Sequence, residues 1–433
     1  PRIRPKDLKE MAWEVGAVRP GVGVNNGVSM LIRRHTGLET DWQYDHPLER
    51  EALERTLGVV LYQDQLMELG KYVAGMSAAE ADRMRRVFSR RNADQLVPMW
   101  HEKFISGAIA KDVPVAIAEK IFLKFHGEFQ FPEAHAFAFG VTAFQAAWLK
   151  YYYPLEFFVG LFNQQPMGFY NLETLKEDAR RHGVEVLNPD VNRSDEKAVV
   201  ENGNLRLGVR HVRRVQKATS EAILATRRRF GEFESISDFM MRSGIQHEVL
   251  DNLADAGFFD SLDEDRRSTR WEIGLRYRPI GSQLGFDMPV EQDMADLPGQ
   301  SPFEVMVGEY RTMGVYPKGH LMAKLRPGLP PYMVRSDRVR DLPDGTDVWV
   351  GGIVIRRQMP LAKAVFMTLE DEFGHAPLVI WPATWQRLKR IARAPVLLAH
   401  GTVSHREGTI NVVVKDLKLI ESGTPTLKTK DWG

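Results

Sequence analysis

Arginines 83, 86 and 90 recur at three- and four-residue spacing in "GMSAAEADRMRRVFSRR", so a helix there carries them on one face. Arg85 and Arg91 flank that face, while Met84, Val87 and Phe88 turn away from it. Guanidinium forks match phosphate oxygens in pairs, which makes the face a candidate anion contact. The cluster reads as cationic, with no glutamate at the i±4 positions to neutralise it; a solvated helix face is the plain alternative. Ser77 followed by Glu80 is a capping box that sets where the helix starts.

A second set lies in "FPEAHAFAFGVTAFQAAWLKYYYP", residues 131–154. Pro132 and Glu133 suit a first helical turn, and Pro154 stops the pattern after a helix roughly 30 Å long. Phe137, Phe144, Trp148 and Tyr151 fall on one side, expected to be a buried stripe. His135, Thr142, Gln145 and Lys150 fall on the other, over the small Ala138 and Ala146. That side fits an anionic ligand lying across small residues, with His135 and Lys150 as contacts. A core histidine satisfied by a neighbouring helix fits equally.

Between residues 206 and 229, His211, Arg213, Arg214, Lys217 and Arg227–Arg229 surround one short helix. A helical hairpin that aims backbone N–H groups at a phosphate uses such a setting; a charged surface helix is the alternative. Asp263/Asp265 in "SLDEDRR" and Glu370/Asp371/Glu372 in "LEDEFG" are the tempting carboxylate groups. Both read as solvated surface, the second in a hairpin turn, and no metal site is expected from them. Glycine-rich phosphate loops, Ser/His/Asp order and histidine-rich metal spacing do not occur.

These side chains must be positioned by several domains, two to four at 433 residues. Residues 1–165 read mainly as helices, including an amphipathic "VPVAIAEKIFLKFHGEF". Pairs of short helices recur twice between 205 and 262, the second turning at Ser243–Gly244. Residues 279–301, rich in Gly, Pro, Gln and Asp, read as a link between domains. The last part is β-rich: "DVWVGGIVIRRQ", "AVFMTLEDEFG", "APLVIWP", "VLLAHGTVSHREG" and "INVVVKDLKLI" are five strands, with a helix at about 383–392 between the third and fourth. That is the layout of a five-stranded OB-fold barrel. On its face Arg356, Arg357, Phe366, Trp381 and His405 could stack bases and track a backbone, although core packing also accounts for Phe366 and Trp381.

A hydrophobic content of 43% and a charged content of 27% describe an ordinary globular chain. The apolar run at 131–154 is interrupted too often to span a membrane, and no signal peptide is read at the start. Zero cysteines exclude disulfides and thiol nucleophiles and suit the cytoplasm. A formal charge of +1 means that any basic footprint is local.

Several stretches together resemble the bacterial C-family DNA polymerases, the alpha subunit of DNA polymerase III and its error-prone relatives. "AVRPG", "LGVVLYQDQLMELG", "AEADRMRRVFSRR" and the run from "FPEAHAFAFG" to "QPMGFY" look like successive parts of that family's fingers region. "DARRHGVEVLNPDVNRSD", "LRLGVRHV", "DRRSTRWE", "EYRTMGVYPKGHLM", "LEDEFGHAPLVIWP" and the final "TKDWG" resemble the error-prone branch.

The resemblance implies a fingers region over 1–168, tandem helix-hairpin-helix elements over 169–278, a linker with short helices over 279–345, an OB domain over 346–421 and a tail over 422–433. It implies that Arg85 and Arg86 contact triphosphate or template phosphates with Arg90 and Arg91 beside them, and that the His135 face lies toward nucleotide and primer–template. Arg83, the basic residues of 211–217, Arg356 and Arg357 would hold DNA. Gln283, Leu284 and Phe286 in "GSQLGFD" would be a sliding-clamp peptide, one residue shorter than usual. The activity implied is translesion or repair DNA synthesis. The family's catalytic aspartates and their Mg2+ belong to a PHP and palm portion that precedes the "RPG" motif and has no counterpart here, so the segment is expected to be inactive alone and to bind no metal. The first hairpin also departs from the family: "VRRVQKA" replaces a Gly-x-Gly type turn, and side chains at Arg214 and Gln216 would hinder close backbone approach to a phosphate. Other readings are a non-catalytic module that binds DNA or a clamp, from a split or decayed polymerase, and an OB-type tRNA-binding protein.

Overall fold

The computed structural model describes residues 3–17, 27–88, 93–125, 131–168, 170–277, 293–359, 364–406, 409–421 and 430–432. They form two compact units, Pro1–Leu149 and Lys150–Gly433.

The first unit is helical. Ser77 caps helix Ala78–Val87 as its spacing requires: Ser77 Oγ accepts from the Glu80 backbone N–H, and the Glu80 carboxylate accepts from Ser77 N–H at 2.9 Å. Its apolar side, Ala81, Met84 and Val87, enters a core with Leu69, Val73, Phe104, Phe122 and Phe125. The Phe104, Phe122 and Phe125 rings sit 5.3–5.6 Å apart, within the range where aromatic pairs attract. Truncating one of them to alanine costs about 3–5 kcal/mol. Gln65 is buried with its amide fully used: Oε1 accepts from the Leu61 and Tyr62 N–H groups, and Nε2 donates to Ala52 O and Thr56 Oγ1.

Helix Glu133–Tyr152 forms where the spacing places it, and Pro154 opens the next helix, Pro154–Asn163. Of its expected buried stripe only Phe137 packs against the core. Phe144, Trp148 and Tyr151 are 56%, 45% and 78% exposed, whereas Ala136 and Gly140 are buried. The reason is steric: a Cβ at Gly140 would lie 3.3 Å from the Ala12 backbone nitrogen, so the small face is where another helix, Leu8–Ala17, comes close.

In the second unit, strands β1 (Val186–Leu187), β2 (Val199–Glu201) and β3 (Asn204–Arg206) make a small sheet in the order β1-β3-β2. Around it, Phe158, Phe162, Leu205, Val209, Ile223, Phe239, Leu253 and Phe258 build one core, so the helix Pro154–Asn163 belongs to this packing. Helix Ile236–Ser243 ends on Gly244 at φ 60°, a left-handed cap, and helix His247–Asp255 follows, the expected hairpin. In the first pair the leading element is only a 3-10 turn, Val209–His211, before helix Lys217–Phe230.

Strand β4 (Met333–Val334) joins the barrel strand β5 (Asp347–Gln358). β5 pairs antiparallel with β6 (Val365–Asp371) and β8 (Val396–Arg406); β6 pairs with β7 (Gly374–Ile380), β7 with β9 (Thr409–Leu419), and β9 with β8. The circuit 5-6-7-9-8-5 closes, and helix Pro382–Leu388 lies between β7 and β8. Val365, Met367, Leu369, Ala376, Leu378 and Ile380 fill the interior, so the alternate positions face outward. β10 (Lys430–Trp432) adds to β5 in parallel. The segment between the hairpins and the barrel contains helix Pro302–Met313, whose Met306 and Tyr310 pack with Tyr316, Leu321, Ile353 and Val396.

Candidate nucleic-acid interface

Arg83 and Arg86 are exposed on helix Ala78–Val87, and Arg85 is half-buried. The helix is not free of acid. Asp82, one turn earlier, lies 2.8 Å from both the Arg85 and Arg86 guanidiniums, which hold its carboxyl below the usual range. Arg85 also donates to Gln63 Oε1 at 2.8 Å, fixing it to the neighbouring helix. The expected unneutralised trio is thus a mixed cluster whose outward members are Arg83 and Arg86. Arg90 and Arg91 lie outside the described residues, as do Gln283, Leu284 and Phe286.

His135 is exposed and sandwiched between rings: Phe131 stacks at 4.9 Å and 15°, and Phe139 lies 4.5 Å away. This makes a solvent-facing aromatic shelf in which Phe131 and His135 are near-parallel and Phe139 is tilted by 49°. Lys150 is half-buried, paired with Asp178 at 2.6 Å and poised over the Phe158 ring.

Among the residues expected to hold DNA at the first hairpin, placement separates two groups. Arg213 and Lys217 are exposed, and Arg214 is exposed with Glu248 at 2.5 Å. His211 is turned inward, its ring nitrogens 3.3 and 3.4 Å from the Gly208 and Phe162 carbonyls; burial holds its imidazole below the ordinary value, so it is no surface cation. Arg227 is spent on the Val191 and Ser194 carbonyls, at 3.0 and 2.8 Å. Arg214 sits at φ 67°, the left-handed conformation a glycine would supply, so the turn is made despite the missing glycine.

On the barrel, register pairs Phe366 with Gln358 and Val379, and Thr368 with Arg356 and Pro377, all on the outer side. Phe366 and Trp381 are 43% and 49% exposed, which removes core packing as their explanation. Arg356 and His405 are exposed, on β5 and β8. Arg357 is not available in the same way: its Nη2 donates to the Ala392 carbonyl at 2.5 Å.

The acidic turn is the largest departure from expectation. Glu370 and Asp371 are buried, not solvated. Glu370 accepts from Thr174 Oγ1 at 2.9 Å, pairs with Arg181 at 3.3 Å and meets His375 Nε2 at 2.9 Å. Burial alone would raise its pKa, and the His375, His320 and Arg181 charges outweigh that and lower it. Asp371 is bonded by Ser336 and Arg326, and Glu372 by Arg326. Asp265 caps helix Arg266–Arg276 and Asp263 accepts from Asp265 N–H. Among the described residues no group of three or more His, Asp or Glu is arranged to hold a metal ion, so these residues do not fit a two-metal centre. No helix among them is long and apolar enough to cross a membrane.

The sequence reading passed over one cavity. It lies against the 3-10 turn of the first hairpin and is lined by Phe162, Gln165, Pro166, Tyr170, Lys197 and His211 among others.

Comparison with known proteins matches residues 1–112 to the bacterial DNA polymerase III alpha subunit finger domain, 183–269 to the helix-hairpin-helix motif and 348–420 to the OB-fold nucleic acid binding domain. An error-prone DNA polymerase of Nocardia farcinica is 35% identical over 98% of this chain and 38% of its own length. One from Anaeromyxobacter dehalogenans is 36% identical over 96% of the chain and 38% of its length, and error-prone DNA polymerase 1 of Rhizobium meliloti is 33% identical over 99% and 41%. The chain spans about two fifths of the length of these relatives.

Proposed function

The chain belongs to the error-prone branch of the bacterial C-family DNA polymerases, the DNA polymerase III alpha-subunit type, and on that footing we propose that it is the part that grips primer–template DNA and the incoming dNTP during translesion or repair synthesis. The observation that carries this reading is the order of three matched domains, fingers, hairpins and barrel, within a match of nearly the whole chain. In it, Arg83 and Arg86 meet phosphates, and the His135 shelf offers a stacking surface to a base. Arg213, Arg214 and Lys217 hold duplex backbone, and Phe366, Trp381 and Arg356 hold single-stranded template.

Phosphoryl transfer by Mg2+ is assigned to a PHP and palm portion carrying the catalytic aspartates, supplied as a partner in the cytoplasm. A sliding clamp is a further partner through Gln283, Leu284 and Phe286.

Fluorescence anisotropy with primer–template, blunt duplex and single-stranded DNA tests the reading. Binding to all three is expected, strongest at the primer–template junction and falling steeply with salt as counterions are released. A salt-independent response, or preference for tRNA, would defeat it. Primer extension after adding a palm-bearing portion in trans then separates a polymerase part from a binding module: incorporation is expected for the former.

A further inference from the structure

We infer that the cavity beside the first hairpin is a pocket for one unpaired nucleotide, its base held inside and its phosphate at the rim. The inference rests on the DNA-gripping role just proposed and adds a site to it. The cavity encloses about 410 Å³, within the range of small-ligand sites. It lies where the end of helix Pro154–Asn163 meets the start of helix Leu172–Arg181, and Lys197, Arg210 and His211 complete its lining.

The walls suit a flat, partly apolar ring. Phe162, Pro166, Tyr170 and Leu172 line it. The Tyr170 ring is seated on Gly168, which stands at φ 67°: any Cβ there would come within 2.8 Å of the ring. The loop is therefore shaped to hold that ring in one position. Burial raises the Tyr170 pKa, so the phenol keeps its proton and remains a donor.

Most polar groups of the lining are already committed. The Asn163 amide exchanges two hydrogen bonds with the Ala198 backbone, and Asn171 Oδ1 accepts from Thr174 N–H. Gln165 Nε2 is not: it is buried and has no hydrogen-bond partner among the described residues. A buried donor left unpaired favours an occupant that brings an acceptor, and ring nitrogens and carbonyls of nucleobases are such acceptors. The interior carries no cation, because His211 is held neutral. Positive charge stands at the mouth instead, on exposed Lys197 and on Arg210, whose partner Glu196 lies 3.0 Å away. Apolar walls, a free donor within and cations outside are the complement of a nucleotide. Arg210 and His211 lead directly into the hairpin turn at Arg213–Arg214, so a strand held by that turn passes the mouth.

The test uses the full chain with two probes, a single-stranded oligonucleotide carrying one 2-aminopurine and a blunt duplex. Binding of the single strand should quench the fluorescent base, as stacking on Tyr170 requires. Tyr170→Leu should abolish the quench and weaken the single strand at least fivefold, with the duplex affinity unchanged. Gln165→Leu should also weaken the single strand while holding or raising thermal stability, since it removes an unpaired donor; a purely structural Gln165 would lower stability instead. Unaltered quench and affinity in both variants would overturn the pocket while leaving the DNA-gripping role intact. Loss of duplex and single-strand binding by the unsubstituted chain would overturn that role itself. Protection of the cavity by an aromatic peptide and not by the oligonucleotide would also reject the assignment.

Discussion

Thr174 donates to Glu370 across 2.9 Å, joining the helix that follows the cavity to a barrel strand 196 residues later in the chain. Around this bond Arg180 reaches the Glu372 carbonyl at 2.6 Å and Arg181 reaches Glu370, so three side chains of one helix hold one end of the barrel. The hairpins and the barrel thereby share a polar joint, fully buried at Glu370.

Glu370→Gln should destabilise the protein by about 2–4 kcal/mol, because it leaves Arg181 and His375 without their charge partner. The wild-type carboxyl is depressed in the fold, so its contribution is present above the ordinary carboxylate range and is lost as pH falls through the folded value. Denaturant midpoints at pH 7 and pH 4 check both points: the gap between variant and wild type narrows at the lower pH.

Glu309 should behave in the opposite sense. It is buried beside Arg266 at 2.8 Å and Asn188 at 2.7 Å, with Oε2 unpaired among the described residues, and burial pushes its pKa up from 4.5 to about 7. The unfolded chain ionises first, so wild-type stability falls as pH rises from 4.5 to about 7, by on the order of 3 kcal/mol. Glu309→Gln should flatten that slope in unfolding measured at pH 5, 6 and 8.

Arg214→Gly should raise stability by about 0.5–1 kcal/mol. It removes the cost of a left-handed side-chain-bearing residue and gives up only an exposed ion pair with Glu248. Thermal unfolding reads the gain, while duplex affinity should weaken and the slope of log affinity against log salt should fall by about 1.

Arg83→Ala and Arg86→Ala should leave stability within about 0.5 kcal/mol, since both side chains are exposed. Each should weaken DNA binding and reduce the slope of log affinity against log salt by about 1. Arg85→Ala should instead cost about 1 kcal/mol of stability, because it breaks the contacts with Asp82 and Gln63.

Tyr62→Phe should stabilise the first unit by about 1 kcal/mol. The Tyr62 hydroxyl is buried without a hydrogen-bond partner among the described residues, and burial raises its pKa further. Chemical denaturation of the full chain checks it.

Where local pattern decides structure, the sequence was readable. The five barrel strands alternate inward and outward residues, and the Ser77–Glu80 box marks a helix start, because each depends on near neighbours alone. Where a distant partner decides, it was not. Nothing near Glu370 discloses Thr174 and Arg181, so an acidic turn looked solvated. Periodicity divides helix Glu133–Tyr152 into an aromatic and a polar side, but the buried Ala136 and Gly140 belong to neither set; they are covered because Ala12 comes close to Gly140. The glutamine and tyrosine of "QPMGFY" were visible as family wording, yet the cavity they line needs Lys197 and His211 from elsewhere in the chain.

On β7 the positions His375, Pro377, the buried Val379 and then Trp381 follow the pleat two residues at a time, an advance of about 6.8 Å per step. Stacked bases in a duplex strand repeat at about 3.4 Å, half that interval. Side chains at that spacing can lie level with every second base of a stacked strand, not with each base in turn.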